Sequence, residues 1–184
     1  MKVTSKKYLL SAILIAMAVV LGYAFMFIPN VEVFTATVFI AGFLVGPVYG
    51  FLVGIIAEFI FSFFNPLGAP MPFILAAQVL SMGVAGLAGG LLRNGRWIGL
   101  KPLGRILYFG SVGFLITLFF DVLTTLSFSV FMVGLDASKL LATFLPGILF
   151  YITHIVVNTI IFSTLVPFIL KRLHQEVYSE IRSL

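Results

Sequence analysis

The chain has 184 residues, is 61% hydrophobic and only 9% charged, and combines a mean hydropathy of +1.22 with a net charge of +5. A soluble domain is about one-quarter charged, so these figures exclude a water-soluble globular enzyme and point to an all-α integral membrane protein, a single membrane domain over residues 1–184 with no separate catalytic unit. Cysteine is absent, which excludes disulfides and thiolate metal sites, and the basic residues are scattered over short loops and ends, so nucleic acid is not a partner.

Lys2, Lys6 and Lys7 precede an apolar run from Tyr8 to Ile28 that Pro29 ends. Ala16-Met17-Ala18 imitates a signal cleavage site, but the apolar run continues well past it, too far for a signal peptide. It reads as a first transmembrane helix, since a span takes roughly 20 residues rising about 1.5 Å each. Within it, Ala12 and Ala16 share a face. Such small-xxx-small spacing suits close approach of another helix, inside the bundle or from a second protein.

Val33 to Phe64 contains no basic residue and is long for one span, short for two. Bent at Gly46-Pro47, it yields six spans, at about 7–28, 32–45, 47–64, 71–92, 103–127 and 142–170. Both termini then share a side with Arg93, Arg96, Lys101 and Arg105, leaving only Lys139 of the eleven basic residues opposite. The positive-inside rule makes that side cytoplasmic, with both the N- and C-termini on it. A single long span would instead set the basic loop against the N-terminal lysines.

Glycines recur at Gly42, Gly46, Gly50 and Gly54, and the same register reaches Glu58 and Ser62. The row predicts close helix packing that ends in an intramembrane acid, which is expensive in hydrocarbon and marks function. The outer loops are Pro29–Glu32, a shaped turn at Asn65–Pro70, and about Ser127–Lys139, the last amphipathic and suited to fold over the site as a lid. Trp97, in the basic loop, reads as an interfacial anchor. The tail after Leu170 reads as a short cytoplasmic helical extension.

Further polar groups interrupt apolar spans. Gln78 lies as far below Met71 as Glu58 lies below Asn65, about 10 Å on a helical rise. Asp121 sits below Ser127 with Thr117 and Thr125 a turn to either side. Tyr151, His154 and Asn158 share one face of the last helix. Glu58, Gln78, Asp121 and Tyr151 thus form an outer layer with His154 deeper, as in a ligand pocket opening outward, roofed by Asn65. An internal polar network that joins helices would use the same residues. No GxxxxGK[ST] or HExxH occurs, and Gly110-Ser111-Val112-Gly113 has no activating partner, so an enzyme is not indicated and no metal site is expected.

Taken together, PNVEVFTATVFIAGFLVGPVYGFLVG, FSFFNPLGAP and AAQVLSMGVAGLAGG, with the alanine pair low in helix one, resemble the substrate-binding S component of energy-coupling factor (ECF) vitamin transporters. The resemblance implies a multi-pass protein of the prokaryotic cytoplasmic membrane that binds a vitamin or vitamin precursor from outside. It implies partnership with a membrane coupling subunit and two ATPase subunits, which hydrolyse ATP, so this chain itself binds no cofactor. It assigns Ala12 and Ala16 to the coupling subunit; a third alanine in register is replaced by Val20. The substrate most in keeping with it is cobalamin-related or a benzimidazole-like heterocycle. The competing reading is a self-sufficient secondary transporter of a small organic solute, with Glu58 or Asp121 carrying a proton; such carriers usually show internal repeats, and none is visible here.

Overall fold

The computed structural model describes residues 2–176, and every regular element among them is helical. The helices are α1 (Lys2–Phe25), α2 (Phe34–Val45), α3 (Pro47–Phe63), α4 (Pro72–Leu91), α5 (Pro102–Val133), α6 (Ala137–Phe144) and α7 (Ile148–Glu176). Pro47, Pro72 and Pro102 each open a helix at its first turn, where the missing N–H is not needed and the fixed φ favours the helix. Gly46, at φ +95°, makes the sharp link between α2 and α3 that the Gly46-Pro47 dipeptide predicts.

α2 is the centre of the bundle. All twelve of its residues are buried, and it packs against α1, α3, α4 and α7. At about 18 Å it is shorter than the hydrocarbon core, roughly 30 Å thick. A short helix is tolerated there because protein, not lipid, surrounds its ends. Among the described residues four stretches are long and apolar enough to cross a bilayer: Ser5–Phe25, Pro72–Leu91, Pro102–Val133 and Ser138–Leu173. The bundle also exposes Leu9, Ile13, Leu115, Leu149 and Phe168, a surface for lipid rather than water.

The glycine row finds its partner on α4. A Cβ on Gly42 or Gly50 would overlap the Gly86 carbonyl, one on Gly54 would overlap Met82, and one on Gly90 would overlap Pro47. Glycine is required along this seam because backbone lies directly on backbone.

Three expectations need correction. α1 ends at Phe25, and residues 26–33 are irregular chain. The Ser127–Lys139 lid is not a loop: α5 continues to Val133, Gly134 turns the chain at φ +76°, and α6 follows. Asp136 caps α6 by accepting from the Ser138 and Lys139 amides, and those bonds, the Ser138 hydroxyl foremost, hold its carboxyl below the usual range. The last expected span, 142–170, lies within the helical stretch Ser138–Leu173, which tightens to a 3-10 turn at Leu145-Pro146-Gly147 before α7 begins at Ile148. Trp97 is no interfacial anchor: it is 1% exposed and packs its ring against Phe43 and Phe109. Of the C-terminal tail, α7 accounts for residues through Glu176, and the remainder lies outside the described residues.

Candidate functional site

Beyond Gly54 the packed row on α3 continues into Glu58 and Ser62, and both line a cavity of about 210 Å³. Its floor and walls come from α3, α4 and the start of α2, and the irregular segment after Phe25 closes one side. That segment, rather than the Ser127–Lys139 stretch, covers the cavity, together with Asn65 and Leu67 of the α3–α4 turn. Phe34 and Phe61, with ring centroids 5.0 Å apart, provide a flat apolar wall, and Phe120 adds a third ring to the lining.

The polar lining is rich in acceptors. Glu58 is 3% exposed, and the Ser62 hydroxyl donates to its Oε1 at 2.6 Å. No other donor reaches Glu58 among the described residues. Gln78 Oε1 is buried with no partner there either. No lysine or arginine lines the cavity. Buried acceptors without donors are unfavourable unless a ligand supplies the hydrogens.

Glu32 is the group that sequence reading missed. In sequence it only ends the outer loop Pro29–Glu32; in the fold it lines the cavity and joins its own segment to α2 and α7. Its Oε2 accepts from the Thr35 amide at 2.8 Å, which satisfies a free N–H in the first turn of α2 and places negative charge at that helix's N-terminus. Its Oε1 accepts from Asn158 Nδ2 at 2.9 Å, and His154 Nε2 lies 3.7 Å away. The available signal was an acid three residues before Thr35 at the start of an apolar run. The segment is tied to α7 a second time, where Asn30, itself at φ +57°, donates from Nδ2 to the Phe150 carbonyl.

His154 connects this cluster to α5. Its Nδ1 lies 2.7 Å from Asp121 Oδ1, and because a carboxylate only accepts, the proton is on Nδ1. The ring therefore turns its Nε2 edge toward Glu32 and the cavity. Asp121 stands behind His154 and is not itself part of the lining.

Of the residues proposed from sequence, the fold brings Glu58, Asn65, Gln78 and His154 to one cavity, with Asp121 one hydrogen bond behind. Tyr151 does not join them: its hydroxyl pairs with Thr125 at 2.8 Å, a turn away on the α5–α7 interface. The even layer inferred from depth is thus split, because Tyr151 and His154, though three residues apart, meet different turns of α5. Ala12 and Ala16 are both exposed, beside Leu9, Ile13 and Val20, while α1 buries Leu14, Ala18 and Gly22. The small-residue patch therefore faces away from the bundle.

An apolar helical bundle that encloses an acceptor-lined cavity defines a membrane-embedded protein. A family model for the ECF transporter, substrate-specific component, matches residues 6–169, and the chain belongs to that family. No curated protein and no solved structure matches the chain.

Proposed function

We propose that this chain is the substrate-binding subunit of an ECF-type ATP-driven importer and that the cavity takes a small, flat heterocycle that is cationic or rich in N–H donors. The observation that carries this reading is the set of acceptors left for a ligand: the second oxygen of Glu58 and the unpartnered Gln78 Oε1, with Glu32 beside them and no lysine or arginine in the described lining. Charge-assisted bonds of this kind are strong in a site shielded from water. An anionic vitamin would meet Glu58 and Glu32 with no lysine or arginine in the described lining, and His154 is already engaged by Asp121 and Glu32.

Size refines the substrate. A pocket for a drug-sized ligand usually spans about 300–1,000 Å³, and this one is smaller, at about 210 Å³. A corrinoid exceeds it several times over, so within the cobalamin-related group the benzimidazole-like precursor is the better fit. Phe34, Phe61 and Phe120 supply aromatic faces for it. The chain has no phosphate-binding loop, so ATP hydrolysis belongs to ATPase partners, and the exposed Ala12–Ala16 face is the contact for the membrane coupling subunit.

Titration calorimetry of the detergent-purified protein with benzimidazole tests this. Binding to the wild type is expected, weakened about ten- to hundredfold in Gln78→Ala with thermal stability unchanged. Nicotinate, a flat heterocycle of opposite charge, should not bind. Equal benzimidazole affinity in Gln78→Ala, or preference for nicotinate, refutes the assignment.

A further inference from the structure

One turn below the Asp121–His154 pair, α5 and α7 enclose a second polar layer. The two helices run antiparallel, with Asp121 meeting His154, Thr125 meeting Tyr151 and Gly113 lying against Phe162. That register sets Thr117 level with Asn158. Thr117 is 1% exposed, Asp121 8% and Asn158 fully buried, yet Thr117 Oγ1, Asp121 Oδ2 and Asn158 Oδ1 each have no hydrogen-bond partner among the described residues.

Thr117 does not bond back to its own helix. Thr124, Thr153 and Thr164 each donate back to the carbonyl four residues earlier, the ordinary use of a helical threonine. The orientation of the Asn158 amide is fixed independently, because its Nδ2 must donate to Glu32. Its Oδ1 is therefore an acceptor in this layer. At this level the two helices thus carry two acceptors, from Asp121 and Asn158, and one hydroxyl hydrogen, from Thr117. The layer lacks donors.

We propose that one buried water molecule fills this deficit, donating to Asp121 Oδ2 and Asn158 Oδ1 and accepting from the Thr117 hydroxyl. Three bonds are what buried waters typically make. Through this water Thr117 is a positioning residue: it fixes the Asp121 carboxylate, Asp121 holds the His154 Nδ1 proton, and His154 turns its other edge to the cavity. The consequence for affinity rests on the cavity being the substrate site; the positioning of His154 does not.

The test uses full-length protein labelled with 15N at histidine, of which there are two, His154 and His174, assigned with a His154→Gln variant. Thr117→Val, which keeps shape and removes the hydroxyl, should move the His154 ring-nitrogen resonances, and Thr117→Ser should restore them. In the wild type a through-space cross-peak should join the Thr117 methyl to a slowly exchanging water; this holds even if the valine variant fails to fold. Unmoved His154 resonances in Thr117→Val, or no such water signal, overturns the proposal. So does a His154 spectrum that changes when sodium replaces choline at constant ionic strength, because the three oxygens would then be holding a cation. If the spectral changes occur while wild-type protein fails to bind benzimidazole, the positioning stands and the substrate assignment falls.

Discussion

Replacing Glu32 by Ala removes the one side chain that fastens the cavity's cover to both α2 and α7. The Thr35 amide and the Asn158 side chain lose their acceptor together. A buried donor left unpaired costs about 1–3 kcal/mol. Because the Glu32 side chain is 21% exposed, water repairs part of the loss, and the net destabilisation is about 2–3 kcal/mol. For a chain of this length that lowers Tm by about 5–10 °C. Glu32→Gln behaves differently: its amide oxygen still accepts from Thr35, and Asn158 can turn its own oxygen toward the new NH2. It should lose about 1 kcal/mol or less of stability, while affinity for benzimidazole drops about tenfold with the missing charge. Thermal unfolding in detergent, followed by calorimetry on both variants, reads the two effects separately. Wild-type Tm in Glu32→Ala, together with wild-type affinity in both, refutes the role of Glu32.

Gly86→Leu should wedge α4 from α3 at the point where the Gly50 carbonyl lies against it, an overpacking cost of about 1–3 kcal/mol or more visible as a lower Tm; an unchanged Tm means the seam is looser than described. Leu at both Ala12 and Ala16 should abolish uptake with the coupling subunit while benzimidazole binding by the isolated protein survives, because both alanines are exposed on α1; unchanged uptake shows that another face makes the contact. In intact cells, single cysteines at Asn94 and Ser183 should resist an impermeant thiol reagent and one at Gly68 should react; labelling at Asn94 but not at Gly68 overturns six spans with both termini inside.

The helix boundaries of α2, α3 and α4 were legible in the sequence because proline and glycine mark them at Gly46-Pro47 and in the Asn65–Pro70 turn. The glycine row announced a close contact, although only the fold shows that its partner runs from Met82 to Gly90. Depth counting brought Glu58, Gln78 and His154 to one place because helical rise is nearly constant. It failed for Tyr151, since depth does not fix which way a side chain turns around the helix axis. Trp97 was misjudged because a basic loop suggests an interface, while the hydrophobic contacts that bury it, Phe43 and Phe109, come from distant parts of the chain. Glu32 escaped for a related reason: its partners Asn158 and His154 lie more than a hundred residues away. The amphipathic stretch after Ser127 was read as a lid because its polar residues suggested a loop, but Ser127 bonds the Phe73 carbonyl and Ser129 pairs with Thr143, contacts that hold it as helix.

We propose that one cavity, between the 26–33 segment and the α3–α4 turn, holds a small cationic or donor-rich heterocycle. Native mass spectrometry of gently purified protein, released from detergent in the gas phase, measures this most directly. A bound small molecule that fragments as a nitrogen heterocycle is expected on the wild type and should be lost from Gln78→Ala and Glu58→Gln. A ligand that is anionic, or one retained equally by both variants, contradicts it.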